Sequence, residues 1–77
     1  MRDYMNHIEI NPKVMFGKPV VKGTRITVEQ ILEEFGAGKT SIEILEVYPS
    51  LQDKDIRAAL QFASDALRGE RTYLITT

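Results

Sequence analysis

Cysteine is absent from the 77 residues, and histidine occurs once, at His7. The first absence excludes disulfides, thiolate metal sites and a cysteine nucleophile; the second leaves a protein-only zinc centre without its ligands. A reducing compartment suits such a chain. No apolar run approaches the roughly 18 residues of a membrane span, and the opening Met1-Arg2-Asp3-Tyr4-Met5-Asn6-His7 lacks the apolar core of a signal peptide. The expectation is a soluble, cytoplasmic protein with no membrane partner, no metal and no cofactor.

Charge is present in both signs but unevenly placed. Residues 1–26 carry five cations, Arg2, Lys13, Lys18, Lys22 and Arg25, against Asp3 and Glu9, a net of +3; the remainder carries five cations against nine anions, a net of −4. A basic leader on an acidic body suits a phosphate backbone or an acidic protein patch, and the chain as a whole is not a basic nucleic-acid binder. With 43% apolar residues, it is expected to form one small domain near the size at which a single core supplies only a few kcal/mol. Homodimerisation is therefore expected.

The periodicity divides residues 1–77 into a β-arm (1–26), a helical body (27–68) and a tail (69–77). His7-Ile8-Glu9-Ile10 alternates polar and apolar before the turn signal Asn11-Pro12, which predicts a first short strand. Val20-Val21, closed by Lys22-Gly23, is its partner or another extended segment. Thr27 and Gln30 have capping-box spacing, and Val28, Ile31, Leu32 and Phe35 form one apolar stripe, so a helix begins at Thr27 and ends at Gly36 or Gly38. Thr40 and Glu43 repeat the signature for a helix of about two turns, with Ile44, Leu45 and Tyr48 on one face and Pro49 forbidding continuation. A third helix is predicted from Ser50–Asp53 to about Arg68, with Ile56, Ala59, Leu60, Ala63 and Leu67 inward and Gly69 as the stop. Tyr73, Leu74 and Ile75 in the tail need a partner to form structure.

The expected fold is thus mainly α with a small β arm: a three-helix, helix-turn-helix (homeodomain-like) bundle preceded by a short N-terminal β-hairpin or arm. On its third helix Lys54, Arg57, Gln61, Ser64 and Arg68 form a polar stripe flanked by Asp53 and Asp65. Side chains of these types read bases or grip phosphates, yet any amphipathic helix has a solvated polar face, which is the default reading. On the arm, Lys18, Lys22 and Arg25 suit phosphates or a minor groove. For Arg25, a structural ion pair with Glu46 or Asp55 is favoured. Phe16 and Phe62, with Tyr73, Leu74 and Ile75, widen the apolar surface into a candidate partner or dimer interface; an arm and tail folded over Phe62 explain it equally well.

Catalytic constellations are poor. His7 reads as an edge-strand polar residue, and Glu33, Glu34, Glu43 and Glu46 fit outward helix positions. Gly38-Lys39-Thr40 imitates the end of a P-loop, but Glu33 stands where its first glycine belongs. No catalytic residue is assigned.

Four co-linear motifs, Gly17-Lys18-Pro19, Gly23-Thr24-Arg25-Ile26, Tyr48-Pro49-Ser50-Leu51 and Ala58-Ala59-Leu60, resemble those of the domain-of-unknown-function family 433 over about Ile8 to Ala66. That family is similar to VapB-type antitoxins and is often encoded beside a PIN-like ribonuclease. The resemblance implies a non-catalytic antitoxin-like protein that binds such a ribonuclease and also promoter DNA. A metal-dependent, acidic ribonuclease site would be opposed by Arg2, Lys18, Lys22 or Arg71. A transcriptional regulator without a toxin, or a purely structural homodimer, is the alternative. Family members often have glycine where Phe16 stands.

Overall fold

The computed structural model describes residues 6–69. Two short strands, β1 (Ile8–Glu9) and β2 (Val20–Val21), pair antiparallel with Ile8 opposite Val21 and Glu9 opposite Val20. Three helices follow, α1 (Val28–Gly36), α2 (Ser41–Val47) and α3 (Asp53–Leu67). The mainly helical domain with an N-terminal hairpin is therefore the one its periodicity predicts, with strands and helix ends trimmed by a few residues.

Each helix start has a local cause. Thr27 Oγ1 accepts the Gln30 N–H at 2.9 Å while the Gln30 side chain accepts the Thr27 N–H at 2.8 Å. Thr40 and Glu43 make the same reciprocal pair at 3.2 and 2.8 Å. Both boxes satisfy amide groups that a helix end leaves without intrahelical partners. At α3 the Asp55 carboxylate accepts the Gln52 N–H at 2.8 Å, placing a negative charge in the first turn where the helix dipole favours it.

The hairpin is tied into the body through β2. Val20 forms a bridge with Thr27, and the Val21 N–H reaches the Ile26 carbonyl at 2.9 Å, so Val20-Val21 is paired on both edges. Between them Lys22–Arg25 makes a tight turn. Gly23 takes φ +81°, a conformation that any side chain would strain, and Thr24 Oγ1 donates to the Val21 carbonyl at 2.8 Å while accepting the Ile26 N–H at 3.0 Å.

Ile8 and Val21 from the hairpin meet Val28 and Ile31 of α1, Leu51, and Ala58 and Ala59 of α3 in one buried cluster, and Val20, Ile44 of α2 and Ile56 of α3 are buried as well. Val20, Ile31, Ile44 and Ile56 lose essentially all contact with water, which stabilises the fold by about 1.5–3 kcal/mol for each side chain. Leu45 and Tyr48 pack against this core beside Ile44, as their shared face predicts.

One helix face is turned from its predicted orientation. Leu60 and Leu67, expected inside, are 41% and 88% exposed, whereas Phe62 is half-buried against the core and Asp65 is buried. At 100° per residue the buried arc centres near Phe62 and Ala66 rather than Ala63, a rotation of roughly a fifth of a turn. The physical reason is that Asp65 enters the protein with its charge engaged: its Oδ1 accepts from Arg68 Nη2 at 2.6 Å and from Gln61 Nε2 at 3.3 Å. Hydropathy assigns a carboxylate to the outside and so misplaces the face.

Candidate docking surface

Among the described residues, the turn Lys22–Arg25 brings two unpaired cations within four positions. Lys22 and Arg25 are exposed and have no ion-pair partner among the described residues. The expected pairing of Arg25 with Glu46 or Asp55 is not made. Asp55 is already engaged, its Oδ1 lying 3.2 Å from His7 Nδ1 while Oδ2 caps α3, and the turn directs Arg25 into solvent.

A chain of short bonds fixes where this turn lies. The Lys22 N–H donates to the His7 carbonyl at 2.7 Å, and the His7 ring meets Asp55 in the first turn of α3. Lys54, adjacent to Asp55, is exposed and also without an ion pair among the described residues. These bonds tie the backbone at Lys22 to the first turn of α3, which also carries Lys54. His7 is the residue that sequence reasoning missed. Its partner is 48 positions away, and no local pattern announces such a contact.

The polar stripe of α3 is exposed throughout, at Lys54, Arg57, Gln61, Ser64 and Arg68. Much of its hydrogen-bonding capacity is used within the helix. Arg57 Nε pairs with Asp53 at 2.9 Å, and Gln61 and Arg68 both serve Asp65. Reading a base would require these groups to leave their carboxylates. On the arm, Lys18 Nζ pairs with Glu29 at 3.0 Å, both side chains remaining about half exposed. Such an exposed pair is worth little and yields readily to a stronger anion.

The apolar half of the expected interface divides. Phe62 is drawn into the core, whereas Phe16 is 95% exposed. Tyr73, Leu74 and Ile75 lie outside the described residues. Exposed apolar side chains also occur at Ile42 and Val47 of α2, 70% and 47% exposed.

Phe16 is held in an unusual backbone. Met15 and Phe16 have φ of +48° and +59°, followed by Gly17 at +81°. The Gly17 N–H donates to the Val14 carbonyl and the Lys18 N–H to the Met15 carbonyl, both at 3.1 Å, which makes two overlapping turns of left-handed sense. Left-handed backbone at a non-glycine residue costs about 1–2 kcal/mol. Glycine is the residue that takes this backbone without that cost.

Among the described residues no three histidine, cysteine or acidic side chains gather in a way that could hold a metal ion. No described helix is long and apolar enough to cross a membrane. What the described surface offers is a basic turn, a projecting aromatic residue and a partly self-paired helix face on a three-helix scaffold.

The chain belongs to the DUF433 family, described as proteins of unknown function, whose family model matches residues 8–63. It is similar to the uncharacterized protein y4eO of Sinorhizobium fredii (strain NBRC 101917 / NGR234), with 39% identity over 62 residues that make up 79% of this chain and 28% of that protein. The chain thus spans little more than a quarter of that relative. Among solved structures, a DUF433 member protein from Anabaena variabilis ATCC 29413 superimposes with a TM-score of 0.78 at 27% identity, covering 92% of this chain and 70% of the other.

Proposed function

We propose that this domain is a non-catalytic, antitoxin-like binding protein whose partner is a PIN-like ribonuclease, with promoter DNA as a secondary ligand. The observation that carries the reading is the Lys22–Arg25 turn: two exposed cations, unpaired among the described residues, on a turn pinned by Thr24 and tied through His7 to the start of α3. A fixed array of cations is suited to an acidic cleft, because it adds favourable charge without ordering a loop on binding. The choice of a ribonuclease as owner of that cleft rests on the resemblance to antitoxin-like families.

Protein binding takes precedence over base reading because Gln61 and Arg68 are engaged with the buried Asp65, although the exposed Arg57–Asp53 pair yields readily. DNA contact through the same turn would be largely electrostatic and salt-dependent. Coexpression of the chain with the product of its neighbouring gene, followed by copurification, tests the proposal. A stable complex that Lys22→Glu with Arg25→Glu abolishes is expected. Failure of an adjacent PIN-like protein to copurify with the folded chain would refute it.

A further inference from the structure

We propose that the Phe16 turn of one copy docks on the outward face of α2 in a second copy, making the domain a self-associating module. This inference does not depend on the ribonuclease reading. It starts from the turn, which combines two features that the fold itself does not repay: positive φ at both Met15 and Phe16, and a phenyl ring 95% exposed. Strain that persists beside an exposed aromatic residue points to an interaction outside the folded unit.

The turn is also rigid. The Val14 N–H donates to the Asn11 carbonyl at 2.8 Å, the Lys13 N–H to Asn11 Oδ1 at 2.9 Å, and the two left-handed turns complete the frame. A projecting ring on a fixed frame loses little freedom when it docks. Its charged sequence neighbours are lysines, of which Lys18 is held by Glu29 of α1 at 3.0 Å. Residues 10–19 contain Lys13 and Lys18 and no anion, and Lys13 has no ion-pair partner among the described residues.

The complementary surface is present on the same molecule. On α2, Ile42, Glu46, Glu43 and Val47 lie side by side on the solvent side while Ile44 is buried on the other. Two exposed apolar side chains thus flank two carboxylates. An aromatic ring accompanied by lysine fits that pattern in both apolar surface and charge, and the acidic body repels any copy that approaches with its own α2. A domain of this size also gains the most from added buried surface.

Sedimentation equilibrium of the full chain from micromolar to millimolar concentration, at low and high salt, tests the assignment. The wild-type chain is expected to associate, and more weakly as salt rises. Phe16→Gly is expected to weaken association at least about tenfold, as loss of an aromatic anchor does, while unfolding no earlier than wild type because glycine accepts the positive φ. Lys13→Glu and Glu46→Lys should each weaken association, and their combination should recover a substantial part of the loss. A wild-type chain monomeric throughout would overturn the proposal, including the case in which Phe16 serves only a different protein. Undiminished association of Phe16→Gly, or a charge-swapped pair weaker than either single variant, would overturn it as well.

Discussion

His7 Nδ1 lies 3.2 Å from Asp55 Oδ1, and the other oxygen of the same carboxylate accepts the Gln52 N–H at 2.8 Å. One carboxylate thereby fastens β1 to α3 and caps α3. The His7 carbonyl in turn holds the Lys22 N–H at 2.7 Å, so the position of the basic turn relative to α3 depends on this residue pair.

Substitution separates the two duties of Asp55. His7→Ala should destabilise the domain by about 1 kcal/mol, the typical worth of one part-buried hydrogen bond. Asp55→Ala should cost about 2 kcal/mol, since it removes the cap as well. In a double-mutant cycle read by urea denaturation the two should couple by at least about 0.5 kcal/mol; strict additivity would show that the contact contributes nothing.

The two capping boxes should differ in weight. Thr27 is buried, bridges Val20 and caps α1, whereas the Thr40 box is exposed. Thr27→Ala should therefore cost about 1–2 kcal/mol and Thr40→Ala nearer about 0.5 kcal/mol. Thermal denaturation of the two variants under one buffer condition measures the ranking, and an inverted order would contradict the assignment of Thr27 as the joint between hairpin and helices.

Alkaline pH should loosen the packing of α2. Removal from water, followed by the nearby Glu34 carboxylate, raises the Tyr48 phenol above its ordinary value of 10.0, and its hydroxyl donates to Glu34 Oε2 at 3.4 Å. The folded state keeps this proton to higher pH than the unfolded chain does. The contribution is intact below the unfolded phenol's pKa and is lost as pH rises through the folded one. Chemical denaturation at successive alkaline pH values should show a steeper loss for wild type than for Tyr48→Phe; equal slopes would mean that the folded environment does not discriminate against the phenolate.

Local chemistry was legible in the chain, and long-range chemistry was not. Thr27 with Gln30 and Thr40 with Glu43 announce helix starts because a capping box is a contact across three residues. Val20-Val21 reads as extended for its β-branching, and Gly23 as a turn. By contrast, the His7–Asp55 contact depends on how β1 docks against α3. The orientation of α3 was misjudged because Asp65, a charged residue, enters the protein on bonds from Gln61 and Arg68. Charge alone gives Arg25 a carboxylate partner, but Asp55 is held by His7 and by the Gln52 N–H. The φ of +59° at Phe16 belongs to the backbone and not to the residue's preference, so no local pattern announces it.

The proposed role of the basic turn on this trihelical scaffold is to block an acidic ribonuclease site by occupancy alone. RNA cleavage by any PIN-like ribonuclease encoded beside this chain, measured while the purified chain is titrated in, decides that proposal. The account predicts stoichiometric inhibition by wild type and loss of inhibition in a folded Lys22→Glu, Arg25→Glu variant. Cleavage unaffected by wild type, or inhibited equally by the charge-reversed variant, would contradict it.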